Sequence, residues 1–159
     1  MEVYLLFHTA AETLSIVVAV AAMVVASTSQ QFARHQFVVF VSIAIGWCGG
    51  LDLLHALTFK GMQLLPGDSA NPATQFWVAA RLLQSLALLL SPFLLTRQIY
   101  VGWVHACLAF ICLVVTAAIF TGNFPVAYVD GQGLTPFKIY SEFLIIAILW
   151  VLTQRWQRL

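Results

Sequence analysis

The chain has 159 residues, of which 62% are hydrophobic and 8% are charged, and its formal net charge is +1. The charged fraction is far below the roughly 25% that is usual for a water-soluble globular domain, so that class is excluded. A near-neutral balance without basic or acidic blocks also argues against a nucleic-acid partner. We therefore expect one compact domain over residues 1–159 that is solvated by membrane lipid.

Five apolar runs are each close to the ~20 residues that a helix needs to cross the hydrocarbon core of a bilayer. They predict transmembrane helices at residues 4–26, 38–59, 76–95, 102–120 and 137–153. The segments 60–75 and 121–136 are rich in Gly, Pro, Asn and Asp, which is typical of connecting loops. Thr135 is placed to cap the fifth helix, and Pro136 suits its first position. The sequence thus predicts an all-α integral membrane bundle of about five transmembrane helices.

Four arginines flank one side of this bundle, and that side carries no acidic residue. They are Arg34, Arg97, Arg155 and Arg158. Loops that carry an excess of Arg and Lys stay on the cytoplasmic side of a membrane. We therefore predict that the N-terminus lies outside and that the C-terminus is cytoplasmic.

Six ionisable residues fall inside the predicted helices at one level near their outer ends, roughly 6 to 12 Å deep at the rise of an α-helix. They are His8, Glu12, Asp52, His55, Arg81 and Glu142. His8 and Glu12 are four residues apart, and Asp52 and His55 are three apart, so each pair projects from one helix face. Ionisable groups in a membrane are costly and usually face the bundle interior. We expect the six side chains to converge on one ligand-binding or cofactor-binding site.

The charges of these residues do not balance. Three carboxylates stand against the single guanidinium of Arg81 when both imidazoles are neutral, which leaves two negative charges uncompensated. A divalent metal ion would neutralise the set, and imidazole with carboxylate ligation suits zinc, iron or manganese. The metal ligands that this pattern predicts are His8, Glu12, Asp52 and His55.

Other occupants of the site satisfy the same pattern. Protonation of two carboxyl groups would also balance the charge. A haem b could be held between His8 and His55, which lie on separate helices at matching depth. A cationic or polar ligand from outside could meet the carboxylates, with Arg81 orienting an acidic group. A purely structural ion-pair network that fixes helix register is a further alternative.

The remaining polar residues are interpreted as structural. His35 and His105 are assigned to a loop and to the inner interface, and Lys60 and Lys138 to loop-facing anchors whose ammonium groups extend outward. Three glycines in the second helix, Gly46, Gly49 and Gly50, are expected to let another helix approach closely. The usual hydrolase and nucleotide-binding motifs are missing from the sequence, so we do not expect an enzyme.

Four segments occur in the order of a known family. They are FHTAAETLSIVVA at 7–19, LDLLHALTFKGM at 51–62, FWVAARLLQSLALLLSP at 76–92 and GLTPFKIYSEF at 133–143. Together they resemble the third type of bacterial membrane-associated sensor domain, the MASE family, and their motifs fall on the same six residues. The resemblance implies a multi-pass sensory input domain of the bacterial inner (cytoplasmic) membrane. It also implies a signalling output partner, such as a histidine kinase or a diguanylate cyclase.

The leading hypothesis is a membrane sensor in which a ligand, metal, cofactor or proton binds the six-residue site and alters helix packing. Alternatives are a haem- or metal-binding redox subunit and a non-catalytic accessory subunit that packs against other membrane subunits or a second copy of itself. The resemblance implies that the domain continues with further helices and an output module. Since this chain stops at Leu159, we expect either a truncated receptor or a short relative that acts through another subunit.

Overall fold

The computed structural model of the chain describes residues 2–33, 35–60, 62, 69–95 and 97–157. Within these residues the chain forms five long helices. They are α1 (Glu2–Thr28), α2 (Gln36–Thr58), α3 (Asn71–Leu90), α4 (Val101–Phe120) and α5 (Pro136–Trp156). All five are long enough and apolar enough to cross a membrane. The predicted all-α bundle of five transmembrane helices is therefore confirmed.

The ends of the helices follow local sequence signals. At the start of α5, the hydroxyl oxygen of Thr135 accepts the backbone N–H of Lys138, with Pro136 in the first turn, as predicted. The α3 helix starts at Asn71 rather than at residue 76, because its first turn is polar and escapes a search for apolar runs. It continues as a short 3-10 turn that contains Pro92, whose nitrogen has no hydrogen to donate to the preceding helical turn.

The core of the bundle lies around α2, which packs against α1, α3 and α4, whereas α5 packs against α3. Ile43 and Leu51 of α2 and Phe76 of α3 are at most 1% exposed. Many large apolar side chains on α1, α4 and α5 are exposed, such as Leu14 and Phe110. Such apolar surface is normal where a helix faces lipid.

Two of the three α2 glycines that were predicted to let another helix approach do lie against α1. A Cβ atom at Gly46 would overlap the side chain of Met23, and one at Gly49 would lie 3.2 Å from the Cβ of Ala19. Gly50 has nothing within 4 Å of the same position. Hence the spacing between α1 and α2 depends on Gly46 and Gly49 but not on Gly50.

A short antiparallel hairpin interrupts the predicted loop before α5, with β1 (Tyr128–Val129) paired to β2 (Gly133–Leu134). The side chain of Asn71 accepts the backbone N–H groups of two residues of this loop, and that of Gln75 donates to two of its carbonyls. We call this end of the bundle the hairpin end. Its opposite, where α1 ends and α5 ends, is called the C-terminal end.

The hairpin end is the side that we predict to be outside, and the C-terminal end is the side that we predict to be cytoplasmic. Arg97 and Arg155 belong to the C-terminal end and have exposed side chains. Arg34 and Arg158, the other two arginines behind this prediction, lie outside the described residues. The orientation in the membrane stays a prediction.

Candidate functional site

Three metal-ligating side chains meet between α1 and α2 near the hairpin end. The Nε2 atom of His8 lies 3.6 Å from Oε1 of Glu12, and the Nε2 atom of His55 lies 3.4 Å from the same oxygen. The three ligating atoms are all within 4.8 Å of one another. We refer to His8, Glu12 and His55 as the triad.

The triad is assembled by the close packing of α1 on α2. His8 and Glu12 are one helical turn apart, so both project from the same face of α1. The approach of the helices at Gly49 brings that face towards the last turn of α2, where His55 is buried with 8% exposure. Local spacing and interhelical packing therefore both contribute to the site.

A third helix fixes the orientation of His55. Its Nδ1 atom lies 2.7 Å from the backbone carbonyl oxygen of Ala73 on α3. A carbonyl oxygen can only accept a hydrogen bond, so we assign the hydrogen to Nδ1. In the neutral imidazole, the lone pair then belongs to Nε2, which faces Glu12.

The triad is partly shielded by Phe59, which follows α2. The centroid of the Phe59 ring lies 4.7 Å from that of His8 and 6.1 Å from that of His55. The Glu12 side chain is 20% exposed, and its Oε2 atom is buried without a hydrogen-bond partner among the described residues. An oxygen in that state gains free energy from any cation or proton donor that reaches it.

Asp52 was predicted to be a metal ligand together with the triad, but it does not lie in the group that those three residues form. Both of its carboxylate oxygens accept hydrogen bonds from Nη2 of Arg81 on α3. The other terminal nitrogen of Arg81 donates to Oε1 of Gln84, one turn further along the helix. Asp52 is thus neutralised by a guanidinium that competes directly with a metal ion for the same oxygens.

The position of Lys138 also differs from the sequence prediction. We predicted an outward-facing anchor, but the residue is 5% exposed and its ammonium group lies 3.5 Å from the centroid of the Trp77 ring. The same group donates to Glu142 at 2.6 Å. The partner of Glu142 is thus Lys138, one turn away on α5, and the predicted convergence of all six residues resolves into three separate groups.

This pairing changes the charge balance. Asp52 is paired with Arg81, and Glu142 is paired with Lys138, which the sequence prediction had left at the surface. Only Glu12 remains without a lysine or arginine partner among the described residues. With both imidazoles neutral, the uncompensated charge is therefore one rather than two, and it belongs to Glu12 of the triad.

A second polar group lies in the half of the bundle nearer the C-terminal end and contains His105, which was interpreted from the sequence as structural. The indole N–H of Trp47 donates to Nδ1 of His105 at 3.2 Å, and Nε2 of His105 lies 3.0 Å from the hydroxyl of Ser27. That hydroxyl donates to the carbonyl of Met23 at 2.7 Å. Because Trp47 can only donate, His105 accepts at Nδ1 and carries its hydrogen on Nε2.

Some partners were missed at the sequence level although their spacing offered a signal. Lys138 lies four residues before Glu142, and Gln84 lies three residues after Arg81, which are the separations of neighbours on a helix face. Phe59 and the carbonyl of Ala73 gave no such signal, because their contacts depend on how separate helices pack.

The comparisons with known proteins add one result. The model of a family described as a membrane-associated sensor domain, MASE3, matches residues 1–157 and so includes all six residues discussed above. No curated protein and no solved structure matches the chain. The family match covers nearly the whole chain, and the chain therefore belongs to the MASE3 family of membrane-associated sensor domains.

Proposed function

We propose that this chain is a single input domain of a membrane signalling protein and that its input is a divalent transition-metal ion bound by the triad. The observation that carries the proposal is the meeting of three ligating atoms within 4.8 Å. The hydrogen bond from His55 to the Ala73 carbonyl supports it, because metal-binding histidines usually donate their other ring N–H in this way.

The chemical nature of the three ligating atoms favours transition-metal ions. Two imidazole nitrogens and one carboxylate oxygen suit zinc and neighbouring transition metals, whereas calcium and magnesium need more oxygen ligands. Three protein ligands leave a coordination position for water or a further ligand, as in zinc sites that are not purely structural. The ion would also supply positive charge beside Glu12, the one carboxylate of the set that has no lysine or arginine partner in the described part of the chain.

A bound ion would act on helix packing because its ligands come from two helices. His8 and Glu12 belong to α1, and His55 belongs to α2, so the ion would tie the two helices together at the hairpin end. A ligand shifts a packing equilibrium only when it binds one arrangement better than the other. The signal would pass to an output partner at the C-terminal end, which we propose to be cytoplasmic in a bacterial inner membrane.

A proton is the second candidate input. Without an ion, Oε1 of Glu12 faces the Nε2 atoms of two imidazoles at 3.4 and 3.6 Å. A proton on Nε2 of His55 would turn that contact into a charge-assisted hydrogen bond and would balance the one remaining charge. Proton and metal would therefore compete for the same nitrogen.

Haem is disfavoured by the position of Glu12. An iron ion held by His8 and His55 together would place the flat macrocycle between the two imidazoles. The Glu12 carboxylate oxygen instead lies within 3.6 Å of both Nε2 atoms. The triad therefore favours a small ion over a large planar cofactor.

Titration of the purified full chain with Co²⁺ in detergent tests the proposal, because ligand-field absorption reports bound cobalt directly. We expect one ion per chain, which Zn²⁺ displaces. Glu12→Gln and His55→Ala should each weaken binding by at least about tenfold, since losing even the hydrogen-bond partner of a ligand costs about 10–100-fold. The matched control is His35→Ala, which removes an exposed imidazole outside the site.

Equal cobalt binding by wild type, Glu12→Gln and His55→Ala would refute the metal site. If the wild type binds no cobalt, the proton becomes the input to test. In that case the output activity of a receptor that carries this domain should depend on pH in the wild type, and Glu12→Gln should remove that dependence.

A further inference from the structure

The first turn of α3 contacts both the triad and the loop that leads into α5. On one side, the backbone carbonyl of Ala73 accepts the Nδ1 hydrogen of His55 at 2.7 Å. On the other side, the side chains of Asn71 and Gln75 bind the backbone of the loop between α4 and α5. A displacement of this turn would therefore move the contacts on both sides together.

Four hydrogen bonds join this turn to the loop. The Oδ1 atom of Asn71 accepts the backbone N–H groups of residues 127 and 128 at 2.8 and 3.0 Å. The Nε2 atom of Gln75 donates to the carbonyl oxygens of residues 124 and 125 at 3.1 and 2.9 Å. Gln75 is 3% exposed, and a buried amide that loses its partners costs free energy. The loop is therefore held firmly against α3.

The same loop holds the start of α5. The backbone N–H of Thr135, the residue that caps α5, donates to the carbonyl of Ala127 at 3.1 Å. The hydroxyl of Thr135 donates to the carbonyl of Val126 at 2.7 Å. The cap of α5 thus depends on a loop segment that the first turn of α3 holds in place.

An ion in the triad would act on this turn through His55. The Nε2 atom of His55 would bind the ion while its Nδ1–H donates to Ala73. A cation on one ring nitrogen makes the N–H of the other nitrogen a charge-assisted donor, and such hydrogen bonds are roughly twice as strong as neutral ones. The ion would therefore hold the first turn of α3 more tightly against α2.

We propose that binding of the ion is transmitted to α5 through the first turn of α3, with Asn71 and Gln75 as the coupling residues. The inference rests on the proposed metal site and adds the route by which its occupancy changes another helix. The α5 helix runs to the C-terminal end, where the output partner is proposed to bind. With the ion bound, the cap of α5 opens less often than it does without the ion.

Hydrogen–deuterium exchange of the purified full chain in detergent, measured by mass spectrometry, tests this route. The peptide that matters covers residues 135–140, because the amides of Lys138 and Ile139 are bonded to Thr135. We expect Zn²⁺ to slow its exchange by about fivefold in the wild type, the difference between a neutral and a charge-assisted hydrogen bond. At the lowest Zn²⁺ concentration that saturates the wild type, Glu12→Gln should show a smaller effect, because it binds the ion more weakly.

Variants of the coupling residues should remove the Zn²⁺ effect and still bind Co²⁺. Asn71→Ala removes the acceptor for both loop N–H groups, whereas the matched control Asn71→Asp keeps an acceptor oxygen and should keep the effect. Gln75→Leu should also remove the effect, and Gln98→Leu, an exposed glutamine at the C-terminal end, should not. Lys60→Met should keep it, because the contact of Lys60 with Asp130 in the hairpin is about half exposed and weak.

A second measurement needs no ion. His55→Ala removes the donor to Ala73, so the same peptide should exchange about fivefold faster, on the scale of one hydrogen bond. In an Asn71→Ala background, His55→Ala should add little to the exchange rate, because the route is already interrupted.

Three results would overturn the proposal. The first is a wild type that binds Co²⁺ without any effect of Zn²⁺ on residues 135–140, which would leave the metal site standing. The second is an Asn71→Ala variant with the same Zn²⁺ effect as Asn71→Asp, a comparison that holds even if Gln75→Leu fails to fold. The third is additivity of His55→Ala and Asn71→Ala. If the wild type binds no Co²⁺, the metal site is refuted, and this additivity test alone decides whether the route exists.

Discussion

Replacing Arg81 tests whether Asp52 is held as an ion pair rather than as part of a metal site. The Arg81→Met variant would leave the Asp52 carboxylate inside the helix bundle without its guanidinium partner. Removing one partner of a fully buried ion pair costs about 3–5 kcal/mol. Here the two side chains are 18% and 31% exposed. We therefore expect a loss of about 2–3 kcal/mol, below the fully buried range.

The double variant Asp52→Leu/Arg81→Met should recover most of that loss. Replacing both members of a buried pair by apolar residues is often close to neutral, so we expect it to lie within about 1 kcal/mol of the wild type. Unfolding by SDS in mixed micelles, followed by circular dichroism, measures both differences. The double variant should also bind Co²⁺ as the wild type does, because the triad uses neither residue.

Two results would refute this reasoning. The first is an Arg81→Met variant as stable as the wild type, which would mean that Asp52 does not depend on the guanidinium. The second is a double variant that loses cobalt binding while it stays folded, which would return Asp52 to the metal site.

Three further predictions follow from the contacts described. Gly46→Ala should be less stable than Gly50→Ala by about 1–3 kcal/mol, the usual cost of overpacking, and equal unfolding midpoints would contradict the assigned helix spacing. Lys138→Met should lower the free energy of unfolding by about 1–2 kcal/mol, because it removes the contact with Trp77 and the ion pair with Glu142. Lys60→Met is the control. It should change that free energy by less than about 1 kcal/mol, because the contact between Lys60 and Asp130 is about half exposed. Cobalt affinity should fall as the solution is made more acidic, because protons and the ion compete for the same ligand atoms, and an affinity that does not change with acidity would contradict the proposed ligands.

The helices and the depth of the site in the membrane could be predicted from the sequence, because both depend only on position along the membrane normal. Apolar runs mark where a chain can lie in lipid, and the rise per residue converts sequence position into depth. These two rules were sufficient to predict that His8, Glu12 and His55 lie at a common depth on two helices. The structure brings those three together.

The pairing of the charged side chains could not be predicted in the same way, because the depth of a residue does not determine which neighbouring helix its side chain faces. Asp52 lies three residues from His55, yet it contacts Arg81 on α3 while His55 contacts Glu12 on α1. The direction of the Lys138 side chain could not be predicted for the same reason. Its position at the start of α5 suggested a surface anchor, but packing against Trp77 turns it inward.

The hairpin before α5 was missed for a different reason. Its strands have two residues each, too short for an alternating pattern to be visible. Its position depends on Asn71 and Gln75, whose side chains bind the loop backbone from the first turn of α3. Those two residues belong to the segment that a search for apolar runs assigns to a loop.

The hydrogen-bonded group of Trp47, His105 and Ser27 gives the two ends of α1 different chemical attachments. Near its C-terminal end, α1 is held by neutral groups whose donors and acceptors are all matched, so no ion is needed there. Near the hairpin end it contacts α2 through Glu12, which takes part in binding the ion or proton in the proposed function. On that proposal, the attachment of α1 near the hairpin end depends on the input, whereas the attachment near the C-terminal end does not. A change in the triad would therefore act on one end of α1 and leave the Ser27 contact as it is.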